Sequence, residues 1–127
     1  MTIFYSATDP RGITVFVAED RWRHAVEQHP ELEGEIEAVA LTVTAPEVIL
    51  TNPQNSPNLP QRSAQERYVR FDGALNTNLV VVAKTVPAGG RVPGVGVVTT
   101  ACRELWTAHS TYYRPKGTQL WPPLTVL

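Results

Sequence analysis

Residues 66–84, ERYVRFDGALNTNLVVVAK, decide the fold class. Glu66 to Phe71 alternates between polar and apolar side chains, as a strand with one buried face does. Asp72 to Thr77 carries turn chemistry, and Leu79 to Lys84 is rich in β-branched residues. Together they predict an antiparallel hairpin. Downstream, Pro87, Gly89, Gly90, Pro93 and Gly94 interrupt the chain before Val95 to Ala101 supplies a third strand and completes a meander. From residue 102 to 127 the pattern becomes irregular and aromatic, with Trp106, Tyr112, Tyr113 and Trp121 ahead of a Pro-Pro pair. This stretch reads as a tail laid over the sheet.

Upstream, Pro10, Arg11 and Gly12 form a turn before a short strand at Ile13 to Val17. Asp20 is placed to cap a helix carrying Trp22, Ala25, Val26 and His29 at helical spacing. Pro30 disfavours the helical conformation at His29 and is suited to the first turn of a second helix. That helix puts Leu32, Ile36, Val39, Ala40 and Val43 on one face and ends at Pro46. Glu31, Glu33, Glu35 and Glu37 crowd its N-terminal half, where the helix dipole favours negative charge. Glu47 to Thr51 is a brief strand, and residues 52–65, with three prolines and few apolar side chains, read as a flexible loop. The sum is an α+β chain: two N-terminal helices packed on a roughly four-stranded antiparallel sheet, in one domain spanning residues 1–127.

With 127 residues and 43% hydrophobic side chains, the chain can bury a core without metals or disulfides, and Cys102 has no second cysteine to pair with. The longest apolar run, Leu79 to Ala83, is far short of the roughly 20 residues of a membrane span, and Met1 to Ser6 lacks the pattern of a signal peptide. A cytoplasmic protein without a membrane partner is expected. No cofactor-binding glycine loop occurs, and His24 and His29 are five apart rather than the four that align two imidazoles on a metal, so neither cofactor nor metal is expected. Charge is uneven. Met1 to Glu47 carries nine acidic and three basic residues, Val48 to Leu127 three acidic and eight basic. A cationic second half suits an anionic partner; equally, an acidic helix over a basic sheet neutralises it internally.

Alternation on the first strand of the hairpin puts Tyr68 and Arg70 on one face and Arg67 on the other. Arg offers bidentate hydrogen bonds to phosphate, Lys a point charge, and Tyr a ring on which a base can stack, so Arg67, Tyr68 and Lys84 are candidate substrate-binding residues. Metal-independent ribonuclease chemistry needs a base for the 2′-hydroxyl, a cation for the pentacoordinate phosphorane and an acid for the leaving 5′-oxygen. Histidine suits either proton transfer. His24, Arg70, Thr100 and Tyr113 are the residues assigned to these roles, with RNA as substrate. A non-catalytic domain that holds protein or RNA on the sheet and aromatic tail is the alternative.

One resemblance concerns the order of short segments: Arg21-Trp22-Arg23-His24-Ala25, His29-Pro30-Glu31, an acidic helix, Ala45-Pro46-Glu47-Val48-Ile49, Arg67-Tyr68-Val69-Arg70, Val80-Val81-Val82 and Val98-Thr99-Thr100-Ala101. This order, from Arg21 to Ala101, resembles the phage-type nucleases grouped with the barnase, EndoU, colicin and RelE folds. The resemblance implies two helices on a four-stranded antiparallel sheet with an RNA-cleaving site on its concave surface. A nuclease-like toxin domain, with a cognate inhibitor protein as a partner, is the accompanying expectation. By position the resemblance carries His24, Arg70 and Thr100 as site residues and leaves His29 a structural role. Ala25 stands where the family usually has isoleucine, and residues 52–65 look like an insertion.

Overall fold

The computed structural model describes residues 3–51 and 65–124. The loop expected at 52–65 lies outside the described residues except for Gln65, which opens a strand. Among the described residues the sheet is larger than expected and begins before the helices. A strand β1 (Ile3–Thr8) turns back through Asp9 to Ile13 into β2 (Thr14–Ala18). The next elements are α1 (Glu19–Gln28), a 3-10 turn (Pro30–Leu32), α2 (Ile36–Thr44) and β3 (Val48–Thr51). After these follow β4 (Gln65–Asp72), β5 (Thr77–Val86), the two-residue strands β6 (Arg91–Val92) and β7 (Gly96–Val97), β8 (Cys102–Thr111) and β9 (Gln119–Trp121).

Seven of these strands form one mixed sheet in the order β1-β2-β8-β5-β4-β3-β9, while β6 and β7 pair separately. This overturns the expected four-stranded antiparallel sheet behind two N-terminal helices. The β2–β8 pair is parallel, with Val15 opposite Arg103 and Phe16 opposite Glu104. The expected irregular tail is the main error. Its first ten residues form one of the two longest strands, central in the sheet and hydrogen-bonded to β5 from Cys102↔Val86 to Thr111↔Asn78. Meanwhile Val95 to Ala101, expected as the third strand, gives only the short β7 and a turn before β8.

A bulge explains why β8 does not read as a strand. Val82 faces Thr107 and Ala83 faces Leu105, so Trp106 is an extra residue between them. Leu105 and Ala108, three residues apart, therefore enter the same core with no exposure. Period-two alternation is broken at its middle, and every later side chain of β8 changes face.

The helices also start differently from expectation. Ala18, not Asp20, is the N-cap of α1, and no side chain caps it; Glu19 and Asp20 instead lie in the first turn, where the helix dipole favours them. Pro30 opens only the 3-10 turn, and α2 begins six residues later because Gly34, at φ 76°, takes the chain out of helical geometry. Leu32 is nonetheless fully buried, and α2 buries Val39, Ala40, Thr42 and Val43. Burial of each large aliphatic side chain favours this packing by about 1.5–3 kcal/mol.

The main core lies between the helices and one sheet face, where Val15, Val17, Ile49, Tyr68, Leu79, Val81, Ala83, Leu105 and Ala108 meet Ala25, Leu32, Val39 and Val43. The opposite face carries a second cluster, Val48, Leu50, Val69, Val80 and Val82. At one end of that face Val86, Cys102 and Phe16 pack with Val92 and Val98, around the β6–β7 hairpin. No helix among the described residues is long and apolar enough to cross a membrane.

Candidate active site

Strand register distributes the expected site residues over both faces. Tyr68 pairs with Val81 and Arg70 with Leu79, which puts both on the helix-covered face; Arg67 pairs with Val82 and shares the opposite face with Lys84. From Leu79 to Lys84 is five residues, so Arg70 and Lys84 are separated by roughly 17 Å along the sheet as well as by its thickness. Arg70 donates from Nη1 to the Ala45 carbonyl at 2.7 Å and lines a small groove with Leu41, Thr42 and Asp72. Its guanidinium holds the end of α2. Thr100 sits in the turn before β8, against Gly12, Thr14 and Phe16, near the β5 end opposite Arg70. His24 is exposed on α1, and Tyr113, just beyond β8, is 84% exposed. The structure therefore does not bring His24, Arg70, Thr100 and Tyr113 together.

Tyr68 has no exposure and cannot stack on a base. Its hydroxyl donates to Asp9 Oδ2 at 2.7 Å, within a closed polar network. Asp9 also accepts from the Arg11 backbone and side chain and from the Ile13 backbone. Arg11 reaches both oxygens of Glu66 at 3.0 and 3.1 Å, and Arg103 Nε donates to Glu66 Oε1 at 2.5 Å. Burial works to raise the Asp9 carboxyl, but hydrogen bonds from Tyr68 and Arg11 outweigh it and hold the group below its ordinary 3.8. Burial likewise opposes ionisation of Glu66, and Arg11 and Arg103 prevail, holding it below 4.5. The Tyr68 hydroxyl is pushed up by burial and by the Asp9 carboxylate. Each carboxylate is met by several donors, so the network ties the β1–β2 turn to β4 and β8 and leaves little for a substrate to engage.

A second polar cluster is built differently. The bulge at Trp106 sends His109 to the face of Arg67 and Lys84, paired with Val80. The parallel pairing covers only the start of β8, and α1 continues from β2 beside the rest of that strand, where it makes its main contacts. Its end delivers His29, whose ring centroid is 5.7 Å from that of His109 with the planes tilted by 39°. Glu31, on the 3-10 turn, has Oε2 at 4.0 Å from His29 Nδ1 and accepts from the Ser110 hydroxyl at 2.7 Å. That hydrogen bond holds the Glu31 carboxyl below its ordinary 4.5. Burial, and then the neighbouring His29 and Arg67, hold His109 below 6.5, against a smaller opposing pull from Glu31. The His109 imidazole is therefore neutral near pH 7, in contact with a second imidazole, and within electrostatic reach of a guanidinium.

Further along the same strand, Arg21 stacks over Trp106 at 3.9 Å and donates from Nε to the Trp106 carbonyl at 3.1 Å, with Nη2 on the same oxygen. Lys84 Nζ lies 5.4 Å from the Trp106 ring centroid. Two imidazoles, a carboxylate and several cations thus lie along β8. His109 was not among the residues expected here, because it lies in the stretch taken for an irregular tail. Its being one of only three histidines was the sole sequence signal. No group of acids, histidines or cysteines suited to a metal ion occurs among the described residues. No family model, curated protein or solved structure matches the chain.

Proposed function

We propose that the His29–His109 pair is the proton-transfer centre of a metal-independent ribonuclease, with Arg67 supplying positive charge for the phosphodiester and Lys84, roughly 13 Å further along the sheet, for a neighbouring phosphate. The observation that carries this reading is the contact between a neutral, half-buried imidazole and a second imidazole that has a carboxylate at 4.0 Å. His109, held neutral by burial, is the base: it takes the proton of the 2′-hydroxyl as that oxygen attacks phosphorus. Arg67 stabilises the charge of the pentacoordinate phosphorane. His29, oriented by Glu31, gives its proton to the 5′-oxygen as the P–O5′ bond breaks. The products are a 2′,3′-cyclic phosphate and a 5′-hydroxyl, so atoms and protons balance without a metal. Imidazoles in contact, on two different elements, suit a reaction whose entering and leaving oxygens need separate proton partners within hydrogen-bond reach. A cognate inhibitor, if this is a toxin domain, would act by covering this part of β8.

The test is cleavage of a mixed RNA in excess chelator by the wild type, His29→Ala and His109→Ala, with each variant's fold checked by circular dichroism. Loss of cleavage in both folded variants is the expected result. Retention in either one, or a wild type that shifts RNA in a gel and leaves it intact, overturns the catalytic reading; the second outcome favours a binding domain.

A further inference from the structure

Three aromatic side chains lie on β8 or just beyond its end, close in sequence to His109, and proton transfer uses none of them. Trp106 lies three residues before His109 and Tyr112 three residues after it, so with a strand rise of about 3.3 Å per residue their backbones lie roughly 10 Å from that of His109 on either side, Tyr112 on the side of Ser110 and Glu31. Tyr112 and Tyr113 are each 84% exposed and Trp106 is 39% exposed. Tyr112 borders a groove shared with Glu31, Ser110 and Thr111, and Glu31 is the residue beside His29. At the other side, the Trp106 indole carries Arg21 against its ring and Lys84 close by. That is a ring for a base with cations for its phosphate, in one place. Tyr112 and Tyr113, facing water, gain little where they stand, whereas an unpaired base stacks on such a ring, or on Trp106 beside its bound Arg21, with no sequence requirement.

We infer that the surface along β8 takes an unpaired RNA strand, with bases stacked on Trp106 and Tyr112 on the two sides of the phosphodiester held at the histidine pair. The inference rests on the proposed phosphodiester site and adds the conformation of its substrate. A duplex cannot use these rings, because its bases already stack on one another and show only their edges. Lys84 and Arg21 at the Trp106 end make binding fall with salt, while the rings contribute independently of salt.

The experiment is fluorescence anisotropy of the full chain with a labelled twelve-nucleotide oligouridylate whose 2′-hydroxyls are replaced by fluorine. The same probe annealed to its complement serves as the duplex. Absence of the nucleophilic hydroxyl separates binding from cleavage. The single strand binds tightly and the duplex weakly. Trp106→Ala and Tyr112→Ala each weaken single-strand binding by about five- to a hundredfold, the range for one lost base stack, with the salt slope unchanged. Trp106→Phe recovers most of that loss, and Lys84→Ala flattens the salt slope. Equal binding of both probes, or ring variants that bind like the wild type, overturns the inference. Cleavage of natural RNA without preference for unpaired strands defeats it while leaving the histidine mechanism standing. Strand-selective binding without cleavage does the reverse.

Discussion

Two polar clusters share one sheet: Asp9 and Glu66 lie on its helix-covered face, while the second straddles β8, with His109 on the other face and Ser110, bonded to Glu31, on the helix side. Around Asp9 and Glu66, nearly every donor and acceptor finds a partner at 2.5 to 3.3 Å, and the carboxylates are held well out of water. Around His29 and His109, the contacts are looser, His29 and Glu31 are more than a third exposed, and the His109 imidazole is kept neutral by burial and by the nearby His29 and Arg67, against a smaller pull from Glu31. The difference separates two uses of charge. A closed network spends its hydrogen-bonding capacity on the fold, whereas an open one retains proton-transfer and charge-binding capacity for a ligand.

The largest effect expected from disturbing this contrast is on stability. Glu66→Ala strands the guanidinium groups of Arg11 and Arg103 in a poorly solvated place, and urea unfolding should show a loss of about 3–5 kcal/mol. Cleavage per folded molecule should stay at the wild-type rate. A loss under 1 kcal/mol means that the network does not hold the turn. On the other face, His109→Ala should reduce cleavage by about 10²–10⁴-fold, with a modest change in the unfolding midpoint, as measured on samples corrected for folded fraction. Tyr68→Phe removes one donor to Asp9 and should cost about 1–3 kcal/mol without touching cleavage.

Acid separates the clusters by pH. His109 has a folded-state value below 6.5, so the unfolded chain takes up that proton first, and stability falls as pH drops from 6.5 towards the folded value. His109→Gln abolishes this limb. Asp9 and Glu66 are also depressed, so their contribution is complete above their ordinary 3.8 and 4.5 and disappears as pH falls through the folded values. Thermal melts from pH 8 to 2 should therefore show a second, more acidic limb that survives His109→Gln. The smallest effect belongs to His24→Ala, which should change stability by no more than about 0.5 kcal/mol and leave cleavage unchanged. A large loss of cleavage there would return the site to α1.

Much of the local structure was legible. The β4–β5 hairpin follows from alternation and β-branching, α1 stops before Pro30, and α2 stops before Pro46. Tyr68 and Arg70 share a face opposite Arg67, as a period of two requires. Harder to see was β1, a short edge strand whose length was weighed only against a signal peptide. The central strand β8 was hidden because its inserted Trp106 cancels the alternation by which strands are recognised. With β8 went His109, and with His109 the histidine pair. Residues singled out singly, such as His24, Thr100 and Tyr113, had suitable chemistry but no shared location, because chemistry is a property of side chains and convergence is a property of register.

The chain alone determined where it turns, which segments present an apolar side, and that its second half is cationic. These follow from backbone preferences and from spacing within a few residues. Tertiary structure decided that β2 and β8 lie parallel, that a one-residue bulge moves His109 to the face of Arg67 and Lys84, and that the end of α1 brings His29 against it. Such pairings join residues up to about ninety positions apart, and their energy lies in contacts between segments, which no local pattern encodes.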